Sequence, residues 1–271
     1  MFESDEFSLD RRGLTFGLLG SLTATAGWAQ AVTPTSLMTA CHDTTRFSNA
    51  RFVATLTQQN RTGVIKKRDL SGVVKLINDG ASSARRIRFS SPSDMRGVAT
   101  LSIEQRNKAD DLWIYLPTFR RVRRLVSANR ADPWVGSDFS LGDISGHKVS
   151  DWNHTTAVTE AVSGFDAWRI QSTPALPVVA TDTGYAKRVS WLRKSDAALL
   201  KADFYDLSGA LSKTLIAEEF RVLDANAKKI QPMRMTMRTL RQSSISILQF
   251  TSFTIQGPVA AGELTPAALA T

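Results

Sequence analysis

Cysteine is almost missing from this 271-residue chain: Cys41 is the only one. A single thiol excludes an intrachain disulfide and any zinc site built from several cysteines. Histidine is scarce too, with His42, His147 and His154 alone, and no pair has the HExxH spacing. The chain has no Gly-rich phosphate loop, no Ser nucleophile elbow and no CxxC. His147, Asp151 and His154 lie close in sequence, but a triad is defined by geometry and not by proximity along the chain. No catalytic residue, metal or cofactor is therefore expected. Long apolar runs are also lacking. The nearest, Gly13 to Trp28, is short and rich in Gly, Ser and Thr for a membrane span.

What the chain has is positive charge, +9 overall, and a hydrophobic fraction of 42%, enough for a sizeable core. Such a charge fits nucleic acid, an anionic membrane surface or an acidic partner. The basic residues are scattered, as in Lys66-Lys67-Arg68, Lys187-Arg188 and Lys228-Lys229, with no nucleic-acid motif among them. A nucleic-acid partner is not expected.

The N-terminus has the order of an export signal. Arg11-Arg12 precede the uncharged stretch, and the small residues Ala29 and Ala31 flank Gln30. Asp10-Arg11-Arg12-Gly13-Leu14-Thr15-Phe16 resembles a twin-arginine signal, although the start is acidic (Glu3, Asp5, Glu6). Residues 1–31 are read as that signal, with cleavage after Ala31, and 32–271 as one exported, periplasmic domain. Retention of the segment as an anchor is the alternative. Leu37 to Cys41 faintly suggests an acylation site, but polar sequence separates it from the apolar stretch. A buried free thiol is the preferred reading of Cys41.

Pro34-Thr35-Ser36 suits the cap and first turn of a helix over Leu37 to Asn49. Beyond it the pattern is strand after strand, at roughly 10–15 residue spacing, with turn signals such as Asn78-Asp79-Gly80. On the order of a dozen strands with few helices predicts a mainly β fold: a large curved antiparallel sheet, or an open barrel, around one core. In "IQPMRMTMRTL" Met233, Met235 and Met237 share one face, and Arg234, Thr236 and Arg238 take the other. Methionine fills irregular cores and adaptable binding surfaces equally well, so both readings stay open.

"DLWIYLPTFRRVRRL", Asp111 to Leu125, joins an apolar strand to an arginine-rich one, turned at Pro117-Thr118. Arg120 and Arg121 are adjacent, so in a regular strand they point to opposite faces. Either a bulge intervenes or one arginine points inward and needs a partner such as Asp138 or Asp143. "GSDFSLGDI", Gly136 to Ile144, follows. These two stretches resemble the outer-membrane lipoprotein-sorting protein family, relatives of the periplasmic carrier LolA. The resemblance runs from about Leu37 to Ile255.

It implies an incomplete β-barrel, covered by helices and loops, around an apolar cavity. It also implies a periplasmic carrier of lipoprotein or lipid acyl chains toward the outer membrane, with transient membrane contact and an inner-membrane transporter as a further partner. Candidate cavity residues are Trp113, Tyr115, Phe139, Met233, Met235 and Met237. Arg121, Arg123, Asp138 and Asp143 are motif residues and candidate inward ion pairs. A second reading is an adaptor that docks on a lipid or resistance-nodulation-division-type transporter and holds no cargo.

Overall fold

In the computed structural model, residues 32–106, 108–126, 130–255 and 257–271 are described, and the expected export signal lies outside them. A helix, α1 (Pro34–Thr44), comes first. Thr33 caps it reciprocally with Ser36: each side-chain oxygen accepts the other's backbone N–H at 3.0 Å. The helix is shorter than expected. It stops at Thr44, because Asn49 already opens the first strand.

Strands β1 (Asn49–Gln59), β2 (Ile65–Ile77), β3 (Ser82–Ser91), β4 (Ala99–Ile103), β5 (Asp111–Leu116) and β6 (Arg121–Leu125) follow as a meander. After a segment holding the short helix α2 (Leu141–Ser145) come β7 (Trp152–Val162), β8 (Phe165–Pro174), helix α3 (Pro177–Thr183) and β9 (Lys187–Arg193). The last four strands are β10 (Leu199–Tyr205), β11 (Leu211–Asp224), β12 (Lys229–Thr239) and β13 (Ser244–Thr254). All thirteen make one antiparallel sheet, ordered β6-β5-β4-β3-β2-β1-β13-β12-β11-β10-β9-β8-β7. β1 and β13 meet in the middle, and the two edges, β6 and β7, are not paired with each other. The mainly β, open architecture is the one expected.

Alternation sets which side chains face inward. On β1, Ala50, Phe52, Ala54 and Leu56 are buried, while Arg51 and Val53 are exposed. On β13 the parity changes part-way: Ser252 pairs with Val53, but Phe250 pairs with Ala54. Thr251 is skipped, so this bulge turns Phe250 and Phe253 to the same side. That is why apolar residues of both parities occur along this strand.

The inner face carries the largest core cluster, around Phe52, Phe89, Trp134, Phe139, Met237 and Leu248. The opposite face of β2–β5 is covered by the chain's last residues, with Val259, Leu264 and Leu269 packed on Val73, Ala84, Ala99 and Leu101. Arg86 and Arg88 hold that segment by donating to the Ala268 carbonyl at 3.2 and 3.1 Å. Both faces are thus dry over part of the sheet. Among the described residues, no helix is long and apolar enough to cross a membrane.

Candidate functional site

The inner face does not close completely over its core. It leaves a cavity of about 270 Å³ between the sheet, α1 and the segment before β7. That is near the lower end of ligand pockets, roughly 300–1,000 Å³. Most of the wall is hydrocarbon: Phe52, Leu70 and Ile87 from β1–β3, Leu215 from β11, Met235 and Met237 from β12, and Leu248 and Phe250 from β13. Met38 and Cys41 of α1 bound another side, and Trp134 and Phe139 another.

Local sequence explains this lining. Gly72 stands opposite Phe52 in the β1–β2 pair. Its missing side chain gives the Phe52 ring its place, since a Cβ there would fall 2.1 Å from the ring's Cζ. Phe52 then stacks on Phe253 with centroids 5.7 Å apart and meets Phe250 edge-on at 5.3 Å.

One part of the wall is polar. α2 places Asp143 there through a reciprocal cap: Ser140 Oγ accepts the Asp143 N–H at 3.0 Å, and Asp143 Oδ2 accepts the Ser140 N–H at 2.8 Å. Asp143 also accepts from the Tyr185 hydroxyl at 3.1 Å and from His147 Nε2 at 3.3 Å, with Lys213 Nζ 3.9 Å away. Burial alone would raise this carboxyl, but the bond from His147 and the Lys213 charge hold it down at about 2. His147 is pushed down to about 4, by burial first and then by the charge of Arg188. At neutral pH the ring is therefore uncharged and donates to Asp143 through Nε2–H. Burial raises the free thiol of Cys41 to about 12, so it is a neutral, half-buried wall residue.

The charged side chains of the wall are Arg85, Lys148, Arg188 and Asp143. Lys148 is matched by Asp110 at 2.9 Å, and the same carboxylate binds the buried Arg130 at 2.6 Å. Arg85 donates to the Ile144 carbonyl. Arg188 is 8% exposed and lies over two rings, 5.1 Å from Trp152 and 5.6 Å from Phe204. Its Nε has no hydrogen-bond partner, and no carboxylate of the described residues lies within ion-pair distance of it.

The sequence candidates divide. Phe139, Met235 and Met237 are in the cavity wall, while Met233 packs in the adjoining core. Trp113 and Tyr115 are a correction: they pack on the opposite face of the sheet, against the cluster formed with Val259, Leu264 and Leu269. Alternation put them on one face together, but only the final segment of the chain decides which face that is.

The expected inward pairs are a second correction. Arg121 and Arg123 are exposed on the edge strand β6. Asp143 is taken by His147 and Tyr185, and Asp138 by the hydroxyls of Ser246, at 2.6 Å, and Ser244. The adjacent arginines are resolved by a turn. Pro117–Phe119 form a single 3₁₀ turn, and Arg120 closes it in the left-handed conformation with φ 49°, outside the strand. Of the neighbouring histidines, His154 bonds Ser172 Oγ at 2.8 Å and the Val149 carbonyl at 3.0 Å, so neither ring nitrogen meets a carboxylate. Among the described residues no cluster of three His, Cys, Asp or Glu forms a metal site. Arg188 was missed, because "KRVSWLR" carries apolar residues on both faces, Val189 and Trp191 on one and Leu192 on the other, and gives no sign of which side holds a cavity.

Residues 82–271 match a family model whose description is that of an uncharacterized protein. The chain belongs to that family. No curated protein matches it in sequence. Among solved structures, an outer membrane lipoprotein-sorting protein domain from Vibrio parahaemolyticus is 23% identical with a TM-score of 0.80, over 88% of this chain and 98% of that one. A DUF1329 family protein from Desulfovibrio piger is 23% identical with a TM-score of 0.81, over 87% and 97%. A LolA superfamily protein from Nitrosomonas europaea is 22% identical with a TM-score of 0.66, over 87% and 98%. The family member described here thus has a LolA-like fold, as the two central motifs implied.

Proposed function

We propose that this protein is a periplasmic carrier that takes hydrocarbon chains of lipid or lipoprotein into its cavity and moves them toward the outer membrane. The observation that carries the reading is the cavity on the inner face of an open sheet, walled by aliphatic, aromatic and methionine side chains. An acyl chain in water costs about 0.8 kcal/mol per exposed CH₂. A preformed apolar wall offsets that cost with few directional contacts, and methionine adapts to chains of different shape. The LolA-like fold, the twin-arginine-like start and the lipoprotein-sorting description of one structural neighbour support the same reading. It assigns no bond-making step and no cofactor.

The test is direct. Protein purified from cells without detergent is extracted and analysed by mass spectrometry, and its uptake of the neutral fluorophore N-phenylnaphthylamine is measured. Co-purifying lipid or saturable uptake is expected. A protein that carries nothing and takes up nothing would overturn the proposal.

The adaptor reading draws on one observation, the exposed Arg121 and Arg123 at a free sheet edge. It expects salt-sensitive capture of an inner-membrane transporter with no uptake of the fluorophore.

A further inference from the structure

The cavity is apolar, yet the charges on its wall do not balance. Three cations, Arg85, Lys148 and Arg188, face one carboxylate, Asp143. Lys148 and Arg130 share Asp110, and Arg85 has a backbone carbonyl. Asp143 is engaged by Tyr185, His147 and, at 3.9 Å, Lys213. Arg188 is left over. It is more than nine-tenths buried, its Nε is unpartnered, and the aromatic faces of Trp152 and Phe204 lie against it.

A buried guanidinium with no carboxylate within ion-pair distance is costly, because the Asp143 charge acts on it only from farther off and Trp152 and Phe204 replace only part of its hydration. Its planar fork matches a carboxylate or a phosphate, and such bonds strengthen where water is excluded. His147 is uncharged beside it, and so does not compete for an anion.

We propose that Arg188 is an anion-recognition residue of the cavity, and that the cargo is an amphiphile with one acidic group, carboxylate or phosphate, on an apolar chain. The acid meets Arg188 beside Trp152 and Phe204, and the chain lies along the Phe52, Leu215, Met235, Met237 and Leu248 wall. This inference rests on the carrier reading and adds the chemistry of the head group.

The experiment measures displacement of N-phenylnaphthylamine from the purified protein at pH 8 by oleate, 1-oleoyl-lysophosphatidate and uncharged oleyl alcohol. Tighter binding of one or both acids than of the alcohol, by about tenfold, is expected from a charge-assisted bond. Preference for oleate identifies the carboxylate as the source, and preference for lysophosphatidate the phosphate. In Arg188→Gln the acid-to-alcohol ratio falls toward one, and Arg188→Lys keeps part of it. Equal binding of acid and alcohol by the natural protein overturns the inference while the carrier reading stands. An unchanged ratio in Arg188→Gln does the same. Failure of all the ligands to displace, or of the fluorophore to bind, overturns the carrier reading and this inference together. Should Arg188→Gln not fold, carboxyl-labelled oleate bound to the natural protein is followed by carbon NMR. A carboxyl still ionised at pH 6 is expected beside the guanidinium. A protonated one, as an apolar pocket alone would give, overturns the inference.

Discussion

Gly72 and Phe52 face each other across the β1–β2 pair, and the Phe52 ring occupies the space a side chain at position 72 would need. The ring in turn braces Phe250 and Phe253 at the cavity wall. Gly72→Ala therefore forces the ring toward the cavity. A loss of about 1–3 kcal/mol of stability is expected in urea unfolding, with reduced fluorophore uptake. Adding Phe52→Leu should recover part of both. Unchanged stability in the single variant would show that the ring moves freely.

Ala217 lines the cavity on β11 opposite Met235 of β12. Ala217→Phe places a ring where cargo would lie. Uptake of the neutral fluorophore should fall about tenfold or more, with the far-ultraviolet circular dichroism of the sheet preserved. Undiminished uptake would put the binding space elsewhere.

Asp110 holds two cations, Arg130 at 2.6 Å and Lys148 at 2.9 Å, and both carboxylate and guanidinium are buried. Asp110→Asn leaves both cations uncompensated. The expected loss is about 3–5 kcal/mol, read from the urea midpoint. Because Arg130 also donates to the Gly146 carbonyl at 2.9 Å, the segment around α2 should become more accessible to hydrogen exchange.

Acid should act on the fold in two stages. The ordinary value of a histidine is 6.5, and His147 is held at about 4 by burial and by Arg188. The unfolded chain therefore binds a proton first, and stability is full above 6.5 and falls as pH drops toward 4. Asp143, held at about 2 against an ordinary 3.8, contributes stability above 3.8 that is lost as pH falls through 2. Each stage is on the order of 1–3 kcal/mol. His147→Gln should flatten the upper stage between pH 6.5 and 4.5, and shrink the lower one as far as glutamine fails to replace the bond to Asp143. An unaltered slope would assign that stage to other groups.

The meander was legible because successive strands alternate and turns are marked. Asn78, Asp79 and Gly80, read as a turn, all have positive φ, from 53° to 85°. The hairpin turned at Pro117-Thr118 is present as well, with the four residues Pro117 to Arg120 between the paired Leu116 and Arg121. What alternation cannot give is the side on which a face lies. Trp113 and Tyr115 look like cavity residues until residues 258–269 cover them from the other direction. The pairing of Asp138 with Ser244 and Ser246, 106 and 108 residues away, depends on where the segment before β7 lands on β13. Arg188 has the same character. It reads as one more surface cation in a basic chain, and only Trp152, Phe204 and the cavity make it an anomaly.

The unpaired edges β6 and β7 have a mechanical consequence. In a closed barrel, strand number and shear fix the radius, and swelling means breaking a ladder. Here a slight change of twist at each of the twelve strand pairs moves the two edges apart and breaks no backbone bond. Such a sheet can act as a split ring, widening for a larger cargo without losing a strand pair.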